Sequence, residues 1–217
     1  MSDHERAAKI EAARQSLAHV HPGMVVGLGS GSTAAEMVRL LGEKVRAGLA
    51  VRGVGSSSTT EALARAAGIP LIALADVEAL DVTIDGADEV DPKGRMIKGR
   101  GGALLREKVL AAHSKALIII IDRRKQVAAL GAAPVPVEVT PFAEAIVARD
   151  LAKLGGRAVL RAAGGAPYVT DGGNHILDAS FGPIADPDAL AARLDGTVGV
   201  VEHGLFVGFS PTVIVGD

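Results

Sequence analysis

At 217 residues, 48% of them hydrophobic, the chain can bury a substantial core as one domain with an appendage or as two small ones. A net charge of -2, one Tyr, four Phe and no Trp supply neither the basic footprint nor the stacking surface of a nucleic-acid binder. The absence of Cys excludes disulfides, thiolate nucleophiles and thiolate metal sites. The longest aliphatic run, Ala116 to Ile121, is far too short to span a bilayer, and the charged start Met1-Ser-Asp-His-Glu-Arg lacks the apolar stretch of an export signal. A cytoplasmic protein without nucleic-acid or membrane partners is expected.

Ile10, Ala13, Leu17 and Val20 recur at helical spacing and stop at Pro22-Gly23, so a first helix precedes a strand at Met24 to Leu28. Thr33 to Arg46 reads as helix and Ala50 to Val54 as strand. Ser58-Thr-Thr-Glu61 then opens a helix as a capping box, and Gly68 closes it. Pro70 to Leu74, Leu80 to Ile84 and Ala116 to Ile121 continue the strand series; their near-continuous aliphatic character predicts burial on both faces, hence a parallel sheet covered by helices. Ligand sites in such sheets lie at the carboxyl ends of the strands.

After Gly131 the pattern changes to strand Val135 to Val139, helix Phe142 to Leu154, strand Arg157 to Ala162 and strand Asn174 to Ser180. A helix capped by Asp186-Pro187 runs to Leu194, and a strand covers Val198 to Glu202. That βαββαβ order is the split pattern of a ferredoxin-like unit. The expected class is α/β: a Rossmann-like parallel-sheet domain of residues 1-130 plus 206-217, with Val213 to Val215 rejoining its sheet, and a smaller ferredoxin-like α+β domain of residues 131-205.

The stretch from Asp85 to Lys108 is the most informative. Asp85 and Asp88 stand where a strand ends; Lys98, thirteen residues after Asp85, precedes Gly99-Arg100-Gly101-Gly102; and the helix that follows carries Glu107. Carboxylate, ammonium and helix-start amides meeting in one place would suit proton transfer beside a carbonyl with stabilisation of negative charge on oxygen. Glu107 has Ala103, Leu104, Leu110 and Ala111 as its neighbours one turn away, so it is either a solvated residue at the edge of an apolar stripe or a carboxylate facing a dry cavity. Asp85, Asp88 and Asp91 could hold magnesium or calcium, yet Asp85-Gly86 and Asp91-Pro92 are equally good turn chemistry and the calcium-loop spacing is absent.

Gly27-Leu-Gly29-Ser30-Gly31-Ser32-Thr33 lies between a strand and a helix, where amides and hydroxyls can hold a phosphate; the bland reading is a tight turn. A dinucleotide would need an acidic residue after the second strand, and Val54-Gly-Ser-Ser57 has none. The six His residues form no zinc or triad spacing. Lys9 on the first helix and Lys125 after the Ile118 to Ile121 strand read as solvated cations by default, with Lys125 again at a strand's carboxyl end.

Taken together, Gly27-x-Gly29-Ser30-Gly31-Ser32-Thr33, Ser56-Ser57-Ser58, Asp85-Gly-Ala-Asp88-Glu89, Lys98-Gly-x-Gly-Gly-Ala-Leu-Leu-Arg-Glu107-Lys, Lys125-Gln126, Leu154-Gly-Gly and Asp171-x-Gly-Asn174 make the chain resemble ribose-5-phosphate isomerase, type A, over nearly its whole length. The resemblance implies an aldose-ketose isomerase interconverting D-ribose 5-phosphate and D-ribulose 5-phosphate through an enediolate, with no metal and no organic cofactor. It implies that Glu107 shuttles the proton between C1 and C2, that Asp85 assists ring opening and oxygen-to-oxygen proton transfer, and that Asp88 and Lys98 hold hydroxyls and the developing oxyanion. Amides of Gly99, Arg100 and Gly101 would add to that stabilisation. Ser30, Gly31, Ser32, Thr33, Gly86 and Ala87, with Lys9 and Lys125, would be substrate and phosphate contacts. A homodimer is implied, the family being commonly dimeric and sometimes tetrameric. Ser30 replaces a frequent Thr, keeping the hydroxyl, and Arg100 interrupts the glycine run. A sugar-phosphate sensor would not need Glu107 with Lys98, and a coenzyme A transferase would place its glutamate in a different loop.

Overall fold

A computed structural model describes residues 3-217. In chain order its elements are α1 (Asp3–Ser16), β1 (Val25–Leu28), α2 (Ser32–Arg46), β2 (Arg52–Gly55), α3 (Ser58–Ala67), β3 (Val82–Asp85), β4 (Glu89–Val90), β5 (Met96–Ile97) and α4 (Leu104–Ala112). There follow β6 (Leu117–Asp122), β7 (Val135–Val139), α5 (Glu144–Lys153), β8 (Arg157–Leu160), β9 (Ala162–Ala163), β10 (Ala166–Pro167), β11 (His175–Ser180), α6 (Pro187–Asp195), β12 (Val200–His203), β13 (Leu205–Phe206) and β14 (Thr212–Gly216).

The chain forms two compact units. The first comprises Met1–Ala87, Arg106–Lys125 and Phe209–Asp217; the second comprises Asp88–Leu105 and Gln126–Gly208. Residues 88-105, read from sequence with the first domain, therefore cluster with the second unit, because β5 pairs with β13 late in the chain.

The first unit holds a five-stranded parallel sheet in the order β14-β6-β3-β1-β2. Every residue of β1, β3 and β6 is buried, whereas β2 and β14, at the edges, are partly exposed. This is why the inner strands are mostly aliphatic, with Thr83, Asp85 and Asp122 as the polar exceptions. Ile118 to Ile121 are each no more than 2% exposed, and burying each such side chain is worth about 1.5–3 kcal/mol. Ala12, Leu17, Met37, Val38, Leu41, Ala64 and Ile84 complete the core between sheet and helices.

Two expectations change here. Pro70 to Leu74 forms no strand: Leu71 makes one isolated bridge to Gly53, and a 3-10 turn takes Leu74–Asp76. Pro70 brings no N–H to a ladder, which limits pairing at this sheet edge. The cap of α3 is Ser57 rather than Ser58; its side chain accepts the Thr60 N–H at 3.0 Å, while Gly68 closes the helix in the left-handed region as expected.

The second unit contains a four-stranded sheet in the order β12-β7-β11-β8, antiparallel throughout, with α5 and α6 supplying the crossovers. Its core gathers Val135, Val137, Val139, Val147, Leu151, Leu177 and Leu194. Asp186 caps α6 by accepting the Ala189 N–H at 3.0 Å, with Pro187 in the first turn. A three-stranded antiparallel sheet, β13-β5-β4, carries the segment that leads to Lys98. Among the described residues no helix is long and apolar enough to cross a membrane.

Candidate active site

In the first unit the sheet order reverses direction at β1 and β3, the place where doubly wound sheets open a crevice. The loop after β1 and the residue ending β3 meet there. Asp85 is 1% exposed, and its Oδ1 accepts the N–H groups of Ser30 at 3.0 Å and Gly86 at 2.7 Å. The approach is so close that a Cβ on Gly29 would lie 2.2 Å from Asp85 Oδ1, so only glycine fits.

Ser30 turns its hydroxyl into a polar cluster, 2.6 Å from Ser56 Oγ, 3.1 Å from Ser57 Oγ and 3.1 Å from Thr60 Oγ1. Thr60 in turn donates to the Gly29 carbonyl at 3.1 Å. Ser56, Ser57 and Thr60 thus brace the glycine turn. Helix α2 starts at Ser32 after Gly31, with no side chain capping its first amides. Lys9 Nζ donates to Ser32 Oγ at 2.9 Å, placing an ammonium at that helix start. Thr33 and Lys125 are half-buried, Lys125 in the 3-10 turn after β6.

Glu107, in the first turn of α4, is 4% exposed, and its neighbours Leu104, Leu110 and Ala111 are equally enclosed. Of the two readings of this residue, the solvated edge is overturned. A buried carboxylate on an apolar helix face is costly, and such costs concentrate where chemistry needs them.

In the second unit, Glu89 pairs with Ile97 across β4 and β5, which sets Asp88 opposite Lys98 at the ends of the two strands. Lys98 is 3% exposed, its N–H donates to the Gly204 carbonyl at 2.9 Å, and its Nζ lies 5.3 Å from the centroid of the Phe206 ring, within cation–π range. Most lysines are solvated; this one is enclosed. Asp88 Oδ2 accepts the Arg100 N–H at 3.1 Å. Gly99 has φ +99°, and the Gly102 N–H closes a turn on the Gly99 carbonyl at 2.9 Å, while Arg100 and Gly101 are exposed. Ala87 and Gly86 are half-buried in the first unit.

Asp91 is a turn residue: Oδ1 accepts the N–H groups of Lys93 and Arg95, and Oδ2 accepts Arg95 Nε at 2.7 Å. Asp91 and Asp188 hold the Arg95 guanidinium, Asp188 the more strongly, and raise its pKa further. That arrangement leaves Asp91 committed to arginine rather than to a metal. Among the described residues, one group of possible metal ligands comes together, Asp195, Glu202 and His203. The ring of His203 is already engaged there: Nε2 lies 3.0 Å from Asp195 Oδ1, and Nδ1 accepts the Leu205 N–H at 3.2 Å. A satisfied core histidine explains it.

The structure therefore brings Asp85 together with Ser30 and Gly86, and Lys9 with Ser32, in the first unit, and Asp88 with Arg100 in the second. Sequence reasoning did not find the bracing hydroxyl of Thr60 or the Phe206 ring under Lys98, because their partners lie far away along the chain.

Comparison with known proteins joins these observations. The sequence pattern of the family described as ribose 5-phosphate isomerase A (phosphoriboisomerase A) matches residues 52–217. The ribose-5-phosphate isomerase A of Agrobacterium fabrum is 49% identical over 216 residues, covering 97% of this chain and 94% of its own, and that of Gloeobacter violaceus is 53% identical over 211 residues, covering 96% and 92%. A solved D-ribose-5-phosphate isomerase in complex with phospho-erythronic acid superposes with a TM-score of 0.95 at 40% identity, covering 99% of this chain and 96% of its own. Ribose 5-phosphate isomerase from Plasmodium falciparum gives a TM-score of 0.92 at 36% identity, covering 97% and 94%. The chain belongs to the ribose 5-phosphate isomerase A family.

Proposed function

We propose that the chain interconverts D-ribose 5-phosphate and D-ribulose 5-phosphate through an enediolate, as an aldose-ketose isomerase of the non-oxidative pentose phosphate pathway that uses no metal or organic cofactor. The observation that carries the reading beyond family membership is Glu107, a carboxylate enclosed on an apolar helix face.

Each residue then has a task. Glu107 takes the proton from C2 of the open-chain aldose, leaving negative charge on the C1 oxygen, and returns the proton to C1. The C2 hydroxyl proton passes to the C1 oxygen as the new carbonyl forms. Asp85, oriented by the Ser30 and Gly86 amides, assists ring opening and that oxygen-to-oxygen transfer. Lys98, enclosed, stabilises the oxyanion with the amides of Gly99 and Gly101, and Asp88, which also accepts the Arg100 N–H, holds a sugar hydroxyl. Gly86 and Ala87 line the sugar. The uncapped start of α2, with Gly31, Ser32 and Thr33, takes the phosphate together with Lys9 and Lys125. Ser30 contributes through the turn it braces.

A homodimer and a cytoplasmic location belong to the same proposal: dimers are common in the family, and phosphorylated sugars are metabolites of the cell interior. Light scattering and cell fractionation test these two points. The isomerase reading is tested by following ribulose 5-phosphate formation from ribose 5-phosphate with purified protein. No turnover by folded protein would sink it.

A further inference from the structure

One largely enclosed cation is unused by that reading. Arg161 follows β8, with a side chain only 14% exposed. It meets Asp178 on β11 in a two-pronged pair, Nε donating to Oδ2 at 2.9 Å and Nη2 to Oδ1 at 2.6 Å. Its remaining nitrogen, Nη1, donates to the carbonyls of Gly99 at 3.1 Å and Arg100 at 3.0 Å. The next carbonyl, of Gly101, receives the Tyr168 hydroxyl at 3.4 Å. Tyr168 is tied to the same arginine, since its N–H donates to the Arg161 carbonyl at 2.8 Å and its ring lies 5.8 Å from the guanidinium carbon.

A trans peptide is planar, and its N–H points opposite to its C=O. None of the described peptides is cis. Holding the Gly99 and Arg100 carbonyls on the guanidinium therefore fixes the N–H groups of Arg100 and Gly101 on the other side of the segment. The first reaches Asp88 Oδ2 at 3.1 Å. The second donates to no other described residue, which leaves it for a ligand. Glycine-rich backbone has wide conformational freedom, so amides that are to meet a developing charge need such a fixture. A cation at the carbonyl end of a peptide also polarises it and strengthens its N–H as a donor.

We propose that Arg161, secured by Asp178, is a positioning residue that aims the Gly101 amide at the oxyanion of the isomerisation while keeping the Arg100 amide on Asp88. The inference rests on the isomerase reading, which supplies the oxyanion.

Wild-type turnover of ribose 5-phosphate is measured first; its absence would remove the isomerase reading and this inference with it. Removing one oxyanion donor outright costs about 10²–10³ in kcat, so misaiming the Gly101 amide in Arg161→Met should lower kcat at least about tenfold. KM should stay within about threefold, because the phosphate contacts lie on other segments. Affinity for phospho-erythronic acid, which carries a carboxylate in place of the carbonyl, should fall with kcat, while affinity for inorganic phosphate holds. Arg161→Lys, which keeps the charge but cannot fork, should give an intermediate kcat. A folded Arg161→Met with wild-type kcat, or phosphate affinity lost in parallel with kcat, would overturn the proposal. If Arg161→Met does not fold, wild-type kcat in Arg161→Lys would do the same.

Discussion

Replacing Glu107 with Gln removes the proton acceptor while keeping the shape of a side chain that is 4% exposed. Its neighbours Leu104, Leu110 and Ala111 are 0%, 2% and 6% exposed, so the substitution opens no cavity and disturbs little packing. Tm serves as the check that the variant still folds. Catalysis should fall. A positioned general base is worth about 10²–10⁴ in rate, which at 1.36 kcal/mol per tenfold is about 2.7–5.4 kcal/mol of barrier. Two assays read this: kcat at saturating ribose 5-phosphate, and exchange of the C2 hydrogen with deuterium from solvent. Both should collapse together while KM changes little. Near-normal exchange in a folded Glu107→Gln protein would refute the assignment, because some other group would then be moving the proton.

Activity should survive prolonged EDTA treatment, since Asp91 is committed to Arg95 and Asp85 Oδ1 to two amides; loss with EDTA and recovery with magnesium would reassign those carboxylates. Thr33→Ala or Lys125→Ala should raise KM for ribose 5-phosphate severalfold with little loss of kcat, and unphosphorylated ribose should be a very poor substrate; a kcat effect without a KM effect would contradict the phosphate assignment. The Asp81 carboxyl is held below its ordinary value of 3.8 by a hydrogen bond from Lys115 and another from the Val25 N–H. A depressed carboxylate stabilises the fold above its unfolded pKa and loses that contribution as pH falls through the folded value. Asp81→Asn should therefore lower Tm slightly at pH 7, and the difference from wild type should shrink as pH falls below the ordinary carboxylate value of 3.8. Lys115 is 68% exposed, so high salt should shrink the effect at pH 7; a difference that persists in acid would show another cause.

What the sequence made legible follows from how local each signal is. The aliphatic runs ending at Leu28, Ile84 and Ile121 betray inner strands because both faces of each are buried, a property written in consecutive residues. The Asp186-Pro187 and Gly68 signals likewise act within one turn. Glu107 and Lys98 were ambiguous for the opposite reason: Lys98 owes its surroundings in part to Phe206 and Gly204, far away in the chain. Strands β4, β5 and β13 have two residues each, too few for any periodicity to show. Arg161 carries no signal in the sequence, since nothing near it announces carbonyls belonging to residues 99 and 100.

The first unit is threaded from three separated stretches, and its edge strand β14 follows every residue of the second unit in the chain. Strand β14 runs in register along β6 from Thr212 to Gly216, and a Cβ on Gly216 would lie 1.8 Å from the Ala8 carbonyl oxygen, so α1 seats directly on it. During synthesis, then, the opening helix emerges long before the strand it must cover, and the parallel sheet stays one strand short until residues 126-208 have left the ribosome. The bare side of β6, four consecutive isoleucines long, spends that interval as an unprotected strand edge. A nascent chain stalled before residue 209 should consequently be held by chaperones or aggregate, while the second unit, complete by residue 208, is free to fold first.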